Sequence, residues 1–309
     1  MAIHRSIRLL TLVALVLALS ACQTASNDRS AGNSLQDDAI TVGSFDFVES
    51  ELLAEIYSQA LEAGGYTVRR AFRLGPREFV APALQSGLIE FVPEYAGTAV
   101  QFLSLGETVA SSDAAEAHAA LERTLHGSRI TALAPAPARD SNAVVVTRQT
   151  ADRLKLQRIS DVIGVASTLT FGGPPECPSR PLCLVGLERV YGLEFKEFVP
   201  LDVGGPLTHQ ALANGNVDIA LLFTTDPAID RERFVELEDD RRLQPAESVT
   251  PLVRREVVDR WGPRVVQVID AVSRELTTDD LRDLNGQVTS GTMNVVAAAT
   301  AWLKASRSR

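Results

Sequence analysis

From Ile40 to Val100, short apolar runs of strand length alternate with runs whose apolar residues recur at helical spacing, and this alternation restricts the fold more than any other feature of the chain. Ile40-Thr41-Val42-Gly43 reads as a strand. A helix follows from Glu49, with Leu52, Leu53, Ile56, Tyr57, Ala60 and Leu61 on one face, Ser44 or Asp46 to cap its entry and Gly64-Gly65 to end it. Thr67 to Phe72 supplies a second strand, and Gly75-Pro76-Arg77-Glu78 turns into a helix ending near Ser86-Gly87. Ile89, Phe91 and Val92 make a third strand, which Pro93 is expected to stop. A β-α-β-α-β order predicts an α/β fold with a largely parallel sheet and helices on both faces.

The third strand opens through Tyr95-Ala96-Gly97-Thr98 onto a new helical run. In an α/β sheet such a junction is where ligands bind: backbone N–H groups at a helix start favour an anion, and an aromatic face holds a cation. A zwitterion suits both. The alternative for Tyr95 is a ring packed under a loop with its hydroxyl satisfied.

After a helix from Asp113 to Leu125 and the strand Ile130 to Leu133, Ala134 to Ala138 reads as an extended connection into a second α/β unit. That unit has strands at Ala143 to Thr147, Leu169 to Phe171, Glu197 to Pro200 and Ile219 to Phe223. Its helices are expected at Thr150 to Leu154, Ser160 to Ile163, Leu184 to Tyr191 and Pro206 to Asn214. The run Glu238 to Arg242 reads as a solvated turn. The strand Leu252-Val253 then leads to C-terminal helices at Gly262 to Leu276 and Asn294 to Lys304. If these helices return to the first unit, the chain crosses twice between two lobes and leaves a cleft.

Arg5 and Arg8 precede the apolar run Leu9 to Leu19, which closes in Leu19-Ser20-Ala21-Cys22. The run is short for a membrane span, which needs about 20 apolar residues. It reads as a signal peptide over 1–21, with Cys22 lipidated after cleavage; a plain secretory signal with an incidental cysteine is the alternative. Residues 22–39, rich in Ser, Asn and Asp, read as a tether. Without the leader's Arg5 and Arg8, 28 of the 30 basic residues remain against 39 acidic ones, a formal net charge of −11 that argues against nucleic acid as a partner. Cys177 and Cys183, in Cys-Pro-Ser-Arg-Pro-Leu-Cys, are a close even pair in an exported chain and read as a disulfide. A zinc site there lacks nearby histidines.

No Gly-x-Ser-x-Gly elbow, His-Glu-x-x-His or P-loop is present, His118, His126 and His209 are scattered, and Asp202 and Asp218 lie at strand ends, so neither catalysis nor a cofactor or metal is expected.

The phrases VGSFDFVESELLAEIYSQALEAGGY, PALQSGLIEFVPEYAGT, GLERVYGLEFKEF, HQALANGNVDIALLFTTD and FVELEDD, in this order from Ile40 to the C-terminus, resemble the glycine betaine/choline-type substrate-binding proteins of osmoprotectant ABC transporters. The resemblance implies a two-lobed type II periplasmic-binding-protein fold with two crossovers, lobe 1 from 40–139 and 241–309 and lobe 2 from 140–240. It also implies an aromatic cage for a quaternary ammonium group, and delivery to a membrane permease with a cytoplasmic ATPase. By motif, Tyr95 matches a cage wall and Thr98 a carboxylate-binding threonine. Arg180 falls where an arginine binds the carboxylate across the cleft, its alternative being an exposed loop arginine.

Four positions depart from the pattern: His209 and Phe223 stand where tyrosines are common, Ala143 where an aromatic is common, and Phe45 where some members have a lysine. Phe223 keeps a π face and Phe45 can supply another wall, whereas His209 can serve only while neutral. The expected protein is an exported, lipid-anchored, monomeric receptor that binds a zwitterionic or cationic solute such as glycine betaine, choline or carnitine. A secreted enzyme on the same scaffold and a ligand-free interaction lipoprotein are the alternatives from other classes.

Overall fold

The computed structural model describes residues 38–108 and 110–306. The leader and the expected lipid anchor at Cys22 lie outside the described residues. The strands in chain order are β1 Ala39–Gly43, β2 Thr67–Ala71, β3 Phe91–Tyr95, β4 Ile130–Ala132, β5 Asn142–Thr147, β6 Thr170–Gly173, β7 Glu197–Pro200, β8 Ile219–Phe223, β9 Phe234–Glu236 and β10 Val249–Arg254. They form two five-stranded sheets, ordered β2-β1-β3-β10-β4 and β7-β6-β8-β5-β9.

Each sheet is parallel except for one strand. β10 runs antiparallel to both β3 and β4, and β5 runs antiparallel to both β8 and β9. These are the first strands after each passage between sheets. Their starts sit at the far ends of the parallel strands: Val249 opposes Tyr95, and Asn142 opposes Phe223. The chain thus enters each sheet from the edge where ligands bind in α/β folds.

Pro93 does not end β3. It lies inside the strand, in register with Pro251 of β10. Neither proline has an N–H, so the facing pair is a non-bonded position of the ladder, and β1 meets β3 only at Val42 and Phe91. The alanine-proline connection is extended, as expected, but it is not loose. The N–H of Ala136 donates to the Val249 carbonyl at 2.8 Å, and the N–H of Val249 donates to the Ala138 carbonyl at 3.0 Å. A little further on, the N–H of Asp140 donates to the Glu247 carbonyl at 3.1 Å, so the two crossings run side by side.

The helix Val48–Ala63 buries Leu52, Leu53, Ile56, Tyr57 and Leu61 completely in the core of the first sheet, each worth roughly 2 kcal/mol. Ser44 and Asp46 do not cap it. Phe47 is the N-cap, the Ser44 hydroxyl accepts from the Arg73 N–H, and Asp46 pairs with Arg73. The C-terminal helices Pro263–Glu275, Thr278–Thr289 and Val295–Ser306 add Val265, Ile269, Leu281, Leu284, Ala298 and Trp302 to the same core, so the chain does return to the first sheet. The run Glu238 to Arg242 is more than a solvated turn: Asp239 accepts hydrogen bonds from the Tyr191 hydroxyl and from the N–H groups of Leu243 and Gln244.

Candidate functional site

The ends of β3 and β8 meet at a cavity of about 430 Å³. Phe45, Phe47, Tyr95, Phe102 and Phe223 supply its aromatic surface, and Arg77, Thr98, Asp140, Arg180 and Glu247 are among its polar groups. Tyr95 is the last residue of β3 and Phe223 the last of β8, so the two sheets themselves fix these rings. Phe47, at the N-cap of the helix Val48–Ala63, stacks on Phe223 with centroids 5.4 Å apart and on both Tyr95 and Phe45 at 6.1 Å. Gly97 is required by close approach: a Cβ there would lie 2.4 Å from Pro245 Cγ, on the segment returning from the second lobe.

The Tyr95 hydroxyl donates to Glu49 at 2.7 Å, while its ring stacks near that of Phe47 with 28° between their planes. Glu49 also accepts from the Thr225 hydroxyl at 2.5 Å and from Asn285 Nδ2 at 2.6 Å. Asp140 accepts from the Thr225 N–H and the Thr224 hydroxyl. Burial raises both carboxyls, and the neighbouring Glu49 charge pushes Asp140 up further. Glu247 is pushed up to about 7 by burial, against the opposing pull of its bonds from Thr98 and the nearby Arg77.

Thr98 was expected to hold a solute carboxylate, but its N–H and hydroxyl both donate to Glu247. Arg180, expected to bind a solute carboxylate, pairs with Glu78 at 2.6 Å and lies 5.4 Å from the centre of the Phe102 ring. A disulfide between Cys177 and Cys183, with Cα atoms 5.3 Å apart, frames its loop. Phe45 lines the cavity, and Arg77 covers its ring at 4.9 Å. Arg77 is itself clamped by Glu94 through two bonds of 2.7 and 2.8 Å.

His209 is not brought into this cavity. It lines a neighbouring one of about 410 Å³, beyond Phe47 and Phe223, and its Nε2 lies 2.7 Å from Asp226 Oδ2. Ala143 is buried within its sheet opposite Leu222, and the adjacent Asn142 lines the cavity instead. Phe47, Phe102, Arg77, Asp140 and Glu247 escaped the sequence reading. Only Phe47, beside Phe45 in a Phe-Asp-Phe phrase at a helix start, carried a local signal. Among the described residues, no group of three or more His, Cys, Asp or Glu side chains is placed to hold a metal ion.

Residues 38–305 match the model of the substrate binding domain of ABC-type glycine betaine transport systems. The chain is 27% identical over 265 residues to a glycine-betaine-binding protein of Pseudomonas aeruginosa, covering 82% of this chain and 83% of that one. It is 26% identical over 255 residues to a carnitine transport binding protein of Listeria monocytogenes, covering 80% of each. Among solved structures, it resembles a glycine betaine/carnitine/choline ABC transporter structure with a TM-score of 0.68 at 20% identity, covering 86% of this chain and 97% of that one. A choline binding protein in complex with choline gives 0.63 at 14% identity, with 86% and 88% covered. These two likenesses show the two-lobed type II binding-protein fold. With nearly all of its described residues inside the family match, the chain belongs to the family of substrate-binding domains of ABC-type glycine betaine transport systems, extracytoplasmic receptors that bind a solute rather than transform it.

Proposed function

We propose that this receptor binds a quaternary ammonium or related compatible solute of the glycine betaine, choline and carnitine class and hands it to its ABC permease for osmoprotectant uptake. The observation that carries this reading is the aromatic surface of Phe47, Tyr95 and Phe223 at the facing ends of β3 and β8, in a chain of this family. A quaternary ammonium is a diffuse cation whose methyl groups need apolar contact, and aromatic faces supply both contact and negative potential. The Pseudomonas and Listeria relatives, named for glycine betaine and carnitine, support the same class.

In this reading Tyr95, Phe223 and Phe45 contribute walls together with Phe47, Arg180 and Thr98 act at the polar end through their carboxylate partners, and His209 contributes only from behind Phe223. The protein acts as a monomer anchored by lipid at Cys22. The lobes divide near residues 139 and 240, and the packing of Leu243 with the second core and the bonds of Gln244 to Asn142 and Leu182 favour a second division a few residues past 240.

A thermal-shift screen of the purified protein against glycine betaine, choline, carnitine, ectoine and amino acids tests the reading. A ligand at a hundred times its Kd stabilises by about 2.7 kcal/mol. Stabilisation by a quaternary ammonium compound is expected, and a shift confined to amino acids would refute it.

A further inference from the structure

The charges around the cavity are matched on one side only. Arg180 holds Glu78, Arg77 holds Glu94, and Thr98 gives both of its donors to Glu247. Both guanidiniums and the threonine at the helix start thus already hold carboxylates of the protein. The acids are not matched in return. Among the described residues, neither Asp140 nor Glu247 forms an ion pair, and both line the cavity while being only 4% and 2% exposed. They stand on the two chain crossings, joined through the backbone.

We propose that Asp140 and Glu247 determine specificity by making the cavity select a net cation, a quaternary ammonium without a carboxylate, over a zwitterion, and that capture of the cation drives a proton from these acids into solvent. The proposal rests on the reading that the aromatic walls receive a quaternary ammonium.

A cation in a buried site needs a counter-charge at short range, because attraction in a low-dielectric interior far exceeds that in water. A zwitterion would bring its own carboxylate beside two acids, and the guanidiniums it could meet already carry protein carboxylates, Arg77 through two bonds to Glu94 and Arg180 through one to Glu78. The groups facing Glu247 are Thr98, Arg77 and Glu94; those facing Asp140 are Glu49, Tyr95, Thr224 and Thr225. With Glu247 titrating at about 7, its ionised fraction rises roughly thirtyfold between about pH 5.5 and 8, and affinity for a cation of fixed charge rises with it.

Calorimetry on the wild-type protein tests this, with choline, tetramethylammonium and glycine betaine as probes, at both pH values and near pH 7 in buffers of different ionisation heat. We expect choline and tetramethylammonium to bind at least tenfold more tightly than glycine betaine at the higher pH. We also expect proton release near pH 7 and a roughly thirtyfold loss of affinity at the lower pH. Glu247→Gln should flatten the pH dependence, and Asp140→Asn should narrow the preference for cation over zwitterion. Equal or tighter binding of glycine betaine, or choline binding with no proton release and no pH dependence, overturns the proposal while leaving the proposed function intact. If none of the three probes binds at either pH, the quaternary ammonium reading fails and this inference fails with it.

Discussion

Replacing Tyr95 separates two roles that one side chain performs. Its hydroxyl donates to the buried Glu49 at 2.7 Å, and its ring stacks beside Phe47 at 6.1 Å. Tyr95→Phe keeps the ring and removes the donor, leaving a buried acceptor short of a partner at a cost of about 1–3 kcal/mol. In a chain of this size each kcal/mol moves the melting temperature by about 2–4 °C, so the variant should melt roughly 2–12 °C lower. Its affinity for the best quaternary ammonium ligand should stay within about threefold, since the π face survives. Tyr95→Ala loses both roles. A desolvated π face is worth about 0.5–2 kcal/mol, and loss of the neighbouring order around Glu49 adds to it, so binding should weaken about tenfold or more. Calorimetric titration and thermal melts on the three proteins read the two effects independently. Unchanged affinity in Tyr95→Ala would show that the cation is held elsewhere, and an unchanged melting temperature in Tyr95→Phe would show that the bond to Glu49 contributes nothing.

Glu247 should make the ligand-free protein less stable as pH rises. Below 4.5 the acid is protonated in both folded and unfolded chains; between 4.5 and about 7 only the unfolded chain gives up the proton, so this group's stabilisation is lost across that window, by about 3 kcal/mol. Urea denaturation of wild type and Glu247→Gln at both ends of the window should show a smaller pH dependence in the variant, and parallel curves would contradict this. Opening the Cys177–Cys183 disulfide by Cys177→Ser with Cys183→Ser should cost about 2 kcal/mol, as expected for a short closed loop, and an unchanged urea midpoint would count against it. Cys22→Ser should release the protein from membranes or leave the leader uncleaved, and unchanged membrane partition with unchanged mass would exclude the anchor.

The alternation of apolar runs carried the strands, because period and length are local properties that survive without tertiary context. Pro93 shows where local rules give way: proline usually ends a strand, but facing Pro251 at a non-bonded position it is accommodated, and nothing near Pro93 announces its partner. The site was legible in the same measure. Tyr95 could be singled out because a strand-to-helix junction marks a binding edge in the local sequence, whereas Thr98 and Arg180 were named only through the resemblance to the family. Their partners were hidden. Glu247 meets Thr98 across 149 residues and Glu78 meets Arg180 across 102, distances over which no periodicity speaks. Phe47 becomes the centre of the aromatic stack only when β3 and β8 are brought end to end.

The place of β10 bears on the order in which the molecule can assemble. All five strands of the second sheet come from the continuous stretch 142–236, whereas the first sheet receives β10, between β3 and β4, only after that stretch has passed. Contacts that close long loops form late, since the entropy of closure must be met before they reward it. The lobe encoded in the middle of the gene is therefore expected to complete first. Until β10 arrives, β3 and β4 present open edges able to pair with the same strands of another chain, so newly exported protein passes through an interval of aggregation risk that ends when the last third of the chain reaches the first.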